Sequence, residues 1–431
     1  MISPSSPSVQ VTRVTPAPSA AYLAIVAPVP IDSSSGWACT SSILRPPSGP
    51  LITGKPSDRR AAPSQLRDAP GRSEAEMICL VTESQRARAR ELGIVVGMLP
   101  AGAHNAITDV AGVRVGHTTV IEGSDIRTGV TAIVHDGLTG ARVLNAGLAT
   151  GNGFGKIVGT TQVSELGVIE TPVVLTGTLC TFRAADALVS YMLSLPGNEK
   201  LETVNPVVAE TNDGFLSDMR RRPVTEEHVL AALRGARAGP VAEGAVGAGT
   251  GTGALGFKAG IGTSSRIVAC GLSGGLLTLG VLVQANFGGT LTVLGVPVPP
   301  GPEQPEPVAG EPGNSCVIVL ATDAPLDSRR LARVAWRSFA GMARAGSDFS
   351  GRSGDYALAF STAPQEAAPL PDSSLDPLFV AAADAAEEAI LNSLLAAKTT
   401  AGFRGHVRPA VPLDRVRQLC GARGVLKTDG G

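Results

Sequence analysis

Two serines and a carboxylate in the C-terminal part of the chain have a spacing suited to acyl-transfer chemistry without a histidine. Ser315 ends a proline- and glycine-rich segment and directly precedes a predicted apolar strand at 316–322. Ser353 and Asp355 come just before a second predicted strand at 356–361. A helical crossover makes neighbouring strands parallel, so the starts of both strands lie at one edge of the sheet. The pattern predicts that the three side chains converge there, although a serine that merely caps a loop would have the same local sequence.

Two glycine-rich motifs are typical of other chemistry, but their surroundings do not support it. Gly251–Gly256 matches the dinucleotide-binding fingerprint, yet no apolar strand leads into it and no acidic residue ends a strand about 20 residues later. We interpret it as a flexible, turn-rich connection where backbones approach closely. Ser273, within Gly271–Gly275, matches the nucleophile elbow of serine esterases, which needs a strand before it and a helix after it. The surrounding residues instead predict strand, turn and strand, so a GxSxG esterase using Ser273 is kept only as an alternative.

Charge and histidine spacing argue against several other classes of protein. With 36 basic and 37 acidic residues the chain is almost neutral, whereas a nucleic-acid-binding protein is typically basic. No HExxH motif, clustered carboxylate set or metal-ligand spacing occurs, so we expect no metal and no other cofactor. We expect His117 and His135, near predicted strand ends, to be ordinary surface or turn residues. The histidines are His104, His117, His135, His228 and His406.

The chain from about Asn105 onward has the pattern of an α/β or α+β protein with layered sheets and helices. Short β-rich runs closed by Gly, Asp and Asn alternate with helical patterns. Amphipathic helices are predicted within 181–195 and over about 328–344, because apolar residues recur there at helical spacing. Their predicted buried faces are Ala184, Leu188, Tyr191 and Met192 in the first and Leu331, Val334, Ala335, Phe339 and Met342 in the second. A third helix is predicted to begin with Asp376 as N-cap and Pro377 as its first residue.

The first 76 residues differ from the rest of the chain. Residues 1–76 are rich in Pro and Ser without sustained periodicity, which predicts a disordered leader before a single domain at 77–431. Met77 is an alternative start, and we expect that removal of the leader leaves folding intact. No apolar run reaches the roughly 20 residues of a membrane helix. The scattered cysteines resemble neither a disulfide framework nor a zinc ribbon, and with free thiols we expect a cytoplasmic protein without membrane or nucleic-acid partners. They are Cys39, Cys79, Cys180, Cys270, Cys316 and Cys420.

Residues 90 to 420 resemble the L-aminopeptidase/D-esterase family, which includes the β-peptidyl aminopeptidases. The resemblance is an ordered series of matches across most of the chain. The matching stretches are NAITDVAGVRVGHTTVIEG, GVTAI, NGFG, VVAETNDGFLSD, GPVAEGAVGAGTG, FKAGIGTSSR, GVLVQANFG, GNSCVIVLATDAPL, SGDYALAFST and EEAILNSL. This resemblance implies a self-cleaving hydrolase with a four-layer αββα sandwich, like that of N-terminal-nucleophile hydrolases but of different topology.

The resemblance also implies roles for individual residues. Cleavage of the Asn314–Ser315 bond would leave Ser315 as the nucleophile. Ser353 and Asp355 would orient it and assist proton transfer, and Asn286 would donate a hydrogen bond to the oxyanion. Asp355 stands where relatives have glutamate, so its side chain is one methylene shorter.

Two further residues would contact the substrate. By the resemblance, Glu210 would bind the substrate's ammonium group. Asn212 stands where some relatives carry a tyrosine of the oxyanion site. The alternative for Glu210 is that it merely ends a strand and faces water.

The proposed cut yields an α chain, 77–314, and a β chain, 315–431, and we expect a homotetramer of cleaved αβ units acting on small peptides, amides or esters. The freed α-amine, with a reference pKa of about 7.7–8.0, can serve as the base that a histidine otherwise supplies. A break between an exposed loop and a core strand lets the loop leave while the strand holds the nucleophile rigid.

Two other hypotheses share this fold. The first is an acyltransferase like ornithine acetyltransferase, which also cleaves itself but uses threonine where this chain has serine. The second is a binding or scaffold protein that kept the fold without activity. A gel of the purified protein distinguishes the second, because an inactive chain stays in one piece.

Overall fold

The computed structural model describes most of the chain beyond its N-terminal part, and all of these residues belong to one compact unit. The described ranges are 86–139, 142–269, 275–301 and 314–427. The predicted leader, 1–76, and the alternative start at Met77 lie outside them.

The strands within these ranges form two large sheets and three short hairpins. In chain order they are β1 (Val113–Glu122), β2 (Ile126–His135), β3 (Leu144–Gly153), β4 (Ile157–Val158), β5 (Val168–Ile169), β6 (Val173–Gly177), β7 (Val207–Thr211), β8 (Gly253–Ala254), β9 (Phe257–Lys258), β10 (Ile261–Ala269), β11 (Leu276–Asn286), β12 (Thr292–Val293), β13 (Val296–Pro297), β14 (Asn314–Thr322), β15 (Ser353–Ser361), β16 (Thr400–Ala401) and β17 (Val407–Arg408). The first sheet has the order β1-β2-β6-β7-β4 and the second β10-β11-β14-β15-β3-β5. In each sheet one pair is parallel, β6 with β7 and β14 with β15, so both sheets are mixed.

Helices cover the outer face of each sheet. The α-helices are α1 (Thr160–Leu166), α2 (Thr181–Leu193), α3 (Glu226–Arg234), α4 (Ser328–Ala345), α5 (Asp376–Leu395) and α6 (Leu413–Ala422). Helices α2 and α3 pack on the first sheet, whereas α4 and α5 pack on the second. Between the sheets lies a core to which both contribute, including Ile133 and Leu175 from the first and Val317, Val319 and Leu358 from the second. The predicted four-layer αββα sandwich is confirmed.

The crossover predicted around Ser315 is present. Strand β14, helix α4 and strand β15 follow one another, and the two strands are parallel with Asn314 opposite Ser353. Both strands begin earlier than predicted, so Ser353 and Asp355 lie inside β15 rather than before it. The reason is that β3 pairs with Gly354 and Asp355 from the other side and extends the ladder.

The predicted helix faces are largely correct. In α4 all five predicted apolar residues are buried, and in α2 Ala184, Leu188 and Met192 are buried while Tyr191 is half-buried. The N-cap prediction for α5 was wrong by one residue. The chain enters α5 directly from a 3₁₀ turn at Asp372–Ser374, so that Leu375 is the N-cap and Asp376 is already helical.

The first glycine-rich motif forms part of a β-hairpin. Gly251–Gly256 was predicted to be flexible, but it leads into a tight hairpin of β8 and β9, in which Leu255 (φ 54°) and Gly256 (φ 85°) are both left-handed. Such a two-residue turn matches the twist of its strands. Close backbone approach is confirmed, since a Cβ on Gly251 would lie 2.0 Å from the Arg127 carbonyl oxygen.

Ser273 lies outside the described residues, but the elements on either side of it are clear. Strands β10 and β11 are antiparallel, with Ala269 opposite Leu276. A strand therefore follows the motif where a nucleophile elbow needs a helix, and the esterase alternative is wrong.

The interpretation of His117 as a surface residue was also wrong. His117 lies inside β1, its Nδ1 is 2.9 Å from Thr131 Oγ1, and burial lowers its pKa to about 4. His135 ends β2 and its Nδ1 accepts a hydrogen bond from Gly137 N–H, as expected for a turn residue. Within the described ranges, no helix is both long and apolar enough to cross a bilayer.

Candidate active site

Ser315 is the second residue of β14, and its hydroxyl lies beside the peptide bond that it is predicted to cut. In the uncleaved chain its Oγ donates to the Asn314 carbonyl oxygen at 2.6 Å. Ser315 is 3% exposed, and its neighbours in the sheet are Asn286 at the end of β11 and Gly354 in β15. The next residues, from Cys316 onward, form a buried strand. The nucleophile is therefore fixed to the core on its C-terminal side.

Ser353 and Asp355 form a buried pair at the same sheet edge. Ser353 Oγ donates to Asp355 Oδ1 at 2.5 Å, and Asn152 Nδ2 lies 3.3 Å from Asp355 Oδ2. Burial raises the pKa of Asp355, while the hydrogen bond from Ser353 opposes that rise. The aspartate thus reaches its partner serine directly.

The prediction that these side chains converge with Ser315 is confirmed for the sheet edge but not for direct contact. Ser353 pairs with Asn314 and Asp355 with Cys316, whereas Ser315 pairs with Gly354. Because side chains alternate along a strand, the Ser353–Asp355 pair lies on the opposite face from the Ser315 hydroxyl. Ser315 makes no hydrogen bond to either of them in the uncleaved chain.

Asn286 is held in a defined orientation directly opposite Ser315. Its Oδ1 accepts from Gly253 N–H at 3.1 Å, and its Nδ2 donates to the Asn212 carbonyl oxygen at 3.0 Å. These two contacts fix which end of the amide is the donor. Asn212 thus contacts Asn286 through its backbone, while its own Oδ1 accepts from Gly214 N–H at 2.9 Å and closes a turn.

Glu210, in β7, is buried rather than facing water, so the alternative interpretation of this residue was wrong. It is 2% exposed. Its Oε1 accepts from the Lys156 backbone N–H at 2.9 Å and lies 3.2 Å from Lys156 Nζ. Lys156 Nζ also donates to Thr178 Oγ1 at 2.7 Å. The second carboxylate oxygen, Oε2, is buried and has no hydrogen-bond partner among the described residues.

Glu210 and Ser315 border the same small region. A Cβ on Gly155 would lie 3.5 Å from Glu210 Oε1 and 3.1 Å from the Gly354 Cα, and Gly354 is the strand neighbour of Ser315. The close approach of these backbones requires glycine at both positions. A cleft of about 430 Å³ opens beside them. Its walls include Leu148, Lys156, Ile157, Val158, Phe182 and Tyr356.

Sequence reasoning missed Lys156 and the cleft. The sequence did offer one signal, a lysine directly after the NGFG stretch. Its contact with Glu210, however, depends on the pairing of β4 with β7, which the sequence does not reveal. Among the described residues no three His, Cys, Asp or Glu side chains lie together in a group that could hold a metal ion.

Known proteins share both the sequence and the fold of this chain. Residues 105–408 match the sequence profile described as peptidase family S58. The protein named beta-peptidyl aminopeptidase BapA from Sphingosinicella xenopeptidilytica is 41% identical over 370 residues, covering 78% of this chain and 91% of that protein.

Two solved structures are similar over nearly their whole length. The L-aminopeptidase D-Ala-esterase/amidase from Ochrobactrum anthropi, described as a prototype for the serine aminopeptidases and a new variant of the Ntn hydrolase fold, gives a TM-score of 0.74 at 38% identity, covering 79% of this chain and 99% of that chain. A beta-aminopeptidase from a Burkholderia species gives 0.70 at 38% identity, covering 79% of this chain and 100% of that one.

These matches decide between the hypotheses that shared a fold. The family profile covers more than half of the chain, and the relatives named above are aminopeptidases rather than acyltransferases. The sandwich is accordingly a variant of the Ntn hydrolase fold. The chain belongs to peptidase family S58, and it is a self-processing serine aminopeptidase.

Proposed function

We propose that this enzyme cuts its own Asn314–Ser315 bond and then uses the Ser315 hydroxyl to release N-terminal residues from short peptides, amides and esters. The observation that supports this most directly is the Ser315 hydroxyl at 2.6 Å from the Asn314 carbonyl oxygen, with Asn286 opposite it in the sheet. A hydroxyl, the carbonyl that it attacks and an oriented amide donor are the parts that an acyl shift requires.

The first reaction converts a peptide bond into an ester and then into two chain ends. Ser315 Oγ attacks the Asn314 carbonyl carbon, the C–N bond breaks, and the Ser315 nitrogen takes up a proton to become an amine. Water then hydrolyses the ester, which leaves a carboxylate on Asn314 and a free hydroxyl and amine on Ser315. Asn286 Nδ2 donates to the oxyanion in both steps.

In the second reaction the new α-amine of Ser315 acts as the base. It accepts the Oγ proton as Oγ attacks the substrate carbonyl, and it later returns the proton to the leaving amine. Cleavage removes the covalent tether to Asn314, so the terminal residue is free to rotate. In this proposal the Ser353–Asp355 pair, which lies on the far side of the strand in the uncleaved chain, then orients that amine.

Glu210 selects the free amino end of the substrate. Its Oε2 is buried without a partner, and a buried carboxylate oxygen is stabilised by a cation. We propose that the substrate's ammonium group binds there, while Asn212 lines the same region through its turn. N-acetylated substrates lack the cation and are poorly bound.

The cleft beside Glu210 would accept the side chain of the released residue. Its walls are mainly apolar, and about 430 Å³ suits one aliphatic or aromatic side chain. Because relatives are named beta-peptidyl aminopeptidases, we include N-terminal β-amino acids in the proposed substrate class. A panel of α- and β-aminoacyl p-nitroanilides, free and N-acetylated, tests this: turnover of acetylated compounds at the same rate would contradict it.

We also propose a cytoplasmic homotetramer of cleaved αβ units. Cys180, Cys316 and Cys420 are buried free thiols, which is compatible with a reducing compartment. Light scattering on the cleaved enzyme tests the assembly, and a mass equal to one αβ unit would contradict it. Fractionation of the source cells tests the compartment.

A further inference from the structure

Lys258 is a fully buried cation for which the proposed reaction has no role. It is the second residue of β9 and is 0% exposed. Its Nζ donates to the Gly249 carbonyl oxygen at 3.0 Å and to the Ala259 carbonyl oxygen. No carboxylate among the described residues forms an ion pair with it. Burial lowers its pKa to about 7, and the neighbouring Arg408 adds to that effect.

Lys258 is connected to Asn286 by the short β8–β9 hairpin. Its partner across the hairpin is Gly253, whose N–H donates to Asn286 Oδ1 at 3.1 Å. The residue before Gly253, Thr252, donates its hydroxyl at 3.2 Å to the same Gly249 carbonyl oxygen that Lys258 Nζ binds. The ammonium therefore anchors the backbone that orients the proposed oxyanion donor.

The hairpin also binds the chain on the other side of Asn286. Leu255 N–H donates to the Phe287 carbonyl oxygen at 2.8 Å, and Ala285 N–H donates to the Gly260 carbonyl oxygen at 3.0 Å. Asn286 is thus flanked by two backbone contacts to the segment that contains Lys258. A displacement of that segment would move Asn286 relative to Ser315.

A buried cation without a carboxylate is a costly way to satisfy two carbonyl groups. Lys258 Nζ contacts two carbonyl oxygens and lies near a second cation, Arg408, so no carboxylate neutralises its charge when it is protonated. A negative charge develops beside Asn286 only when the tetrahedral intermediate forms. A hydrogen-bond donor that anchored backbone fixes in advance is most effective for such a state.

We propose that Lys258 is a positioning residue of the oxyanion site, whose ammonium group anchors the β8–β9 hairpin against Asn286. This inference rests on the role proposed above for Asn286. Both self-cleavage and substrate hydrolysis pass through an oxyanion, so Lys258 supports both reactions. Substrate binding, which depends on Glu210 and the cleft, is not affected.

The test compares Lys258→Met, which removes the charge and both hydrogen bonds, with Lys258→Gln, which keeps a donor but not the charge. For each, kcat and KM are measured on an aminoacyl p-nitroanilide and divided by the concentration of active sites, and the rate of self-cleavage is followed by intact mass. We expect kcat and the rate of self-cleavage to fall by about 10- to 100-fold in Lys258→Met, with KM within about twofold of the wild type. Lys258→Gln is expected to lie between Lys258→Met and the wild type.

Arg266→Met is the matched control, because Arg266 is also fully buried but is paired with Glu388 at 2.7 Å, and Arg90 remains to pair with Glu388 in the variant. It should lower the melting temperature without lowering kcat per active site. If Lys258→Met is insoluble, Lys258→Gln, which keeps one donor, supplies the same measurements.

A folded variant of Lys258 with wild-type kcat would overturn the proposal. A variant in which kcat is unchanged and KM rises by about 10- to 100-fold would also overturn it. These results differ from a failure of the proposed function, in which the wild-type chain itself stays uncut.

Discussion

Replacing Glu210 by glutamine removes one negative charge from the proposed ammonium site and keeps the shape of the side chain. Glu210 is 2% exposed, so water cannot replace the lost charge. Truncating one partner of a buried pair of this kind typically costs about 2–5 kcal/mol. Lys156 Nζ already lies 3.2 Å from Oε1 and neutralises part of the carboxylate, which places the expected loss near the lower limit. About 2 kcal/mol corresponds to a rise in KM of roughly 30-fold.

The assay measures kcat and KM for aminoacyl p-nitroanilides and follows self-cleavage by intact mass. Self-cleavage should persist in Glu210→Gln, because that reaction is intramolecular and involves no ammonium group. Glu243→Gln is the matched control: Glu243 is buried and paired with Arg88 at 2.6 Å but contacts none of the proposed site residues. An unchanged KM in Glu210→Gln, or an equal rise in Glu243→Gln, would refute the reasoning.

Three further predictions concern the Ser353–Asp355 pair, the cleft and the buried carboxylate of Glu387. Asp355→Asn should lower kcat by about 100-fold without loss of melting temperature, because the neutral amide no longer stabilises the Ser315 amine as it takes up the Oγ proton; a variant with normal single-turnover rates would argue against this. Phe182→Ala should raise KM for leucyl but not for alanyl p-nitroanilide, since Phe182 lines the cleft, whereas Leu179→Ala, an exposed neighbour outside the lining, should change neither. Burial raises the pKa of Glu387 to about 7, so its ionisation destabilises the fold increasingly between the unfolded value of about 4.3 and pH 7. Glu387→Gln should therefore increase the free energy of unfolding by roughly 1–3 kcal/mol at pH 8 and by little at pH 4, as measured by urea denaturation; an equal effect at both pH values would contradict the assignment.

Local patterns in the sequence were sufficient to predict the strands and the helix that position the site residues. The apolar runs after Ser315 and Asp355 and the amphipathic helix between them predicted a parallel crossover, and the structure has β14, α4 and β15 in that arrangement. The helix stripe from Leu331 to Met342 was correct because a helix packed on a sheet must bury one face.

The details that depend on register and on distant contacts could not be predicted. Sequence alone did not show that Ser315 pairs with Gly354 rather than with Ser353 or Asp355, because the register is set by the loop before β15 and by pairing with β3. The Ser353–Asp355 pair therefore lies on the face opposite to the Ser315 hydroxyl instead of converging with it.

Burial of charged side chains was the other limit. Lysine is seldom buried without a partner, so nothing in the sequence indicated that Lys258 is buried or that Lys156 contacts a buried carboxylate. Their positions follow from β4 meeting β7 and from a hairpin closing over Gly249, contacts between segments far apart in the chain. The flexibility expected for Gly251–Gly256 was misjudged for the same reason, because the contacts that hold this segment come from distant parts of the chain.

The central claim is that the chain becomes an enzyme by cutting itself before Ser315, and intact mass with N-terminal sequencing of the purified protein tests it most directly. The account predicts two fragments, one that ends at Asn314 and one that runs from Ser315 to Gly431 with a free serine at its N-terminus. Ser315→Ala should remain a single chain, because alanine has no oxygen to attack the Asn314 carbonyl. A wild-type protein that stays full-length after prolonged incubation, or one cut at another bond, would contradict the account.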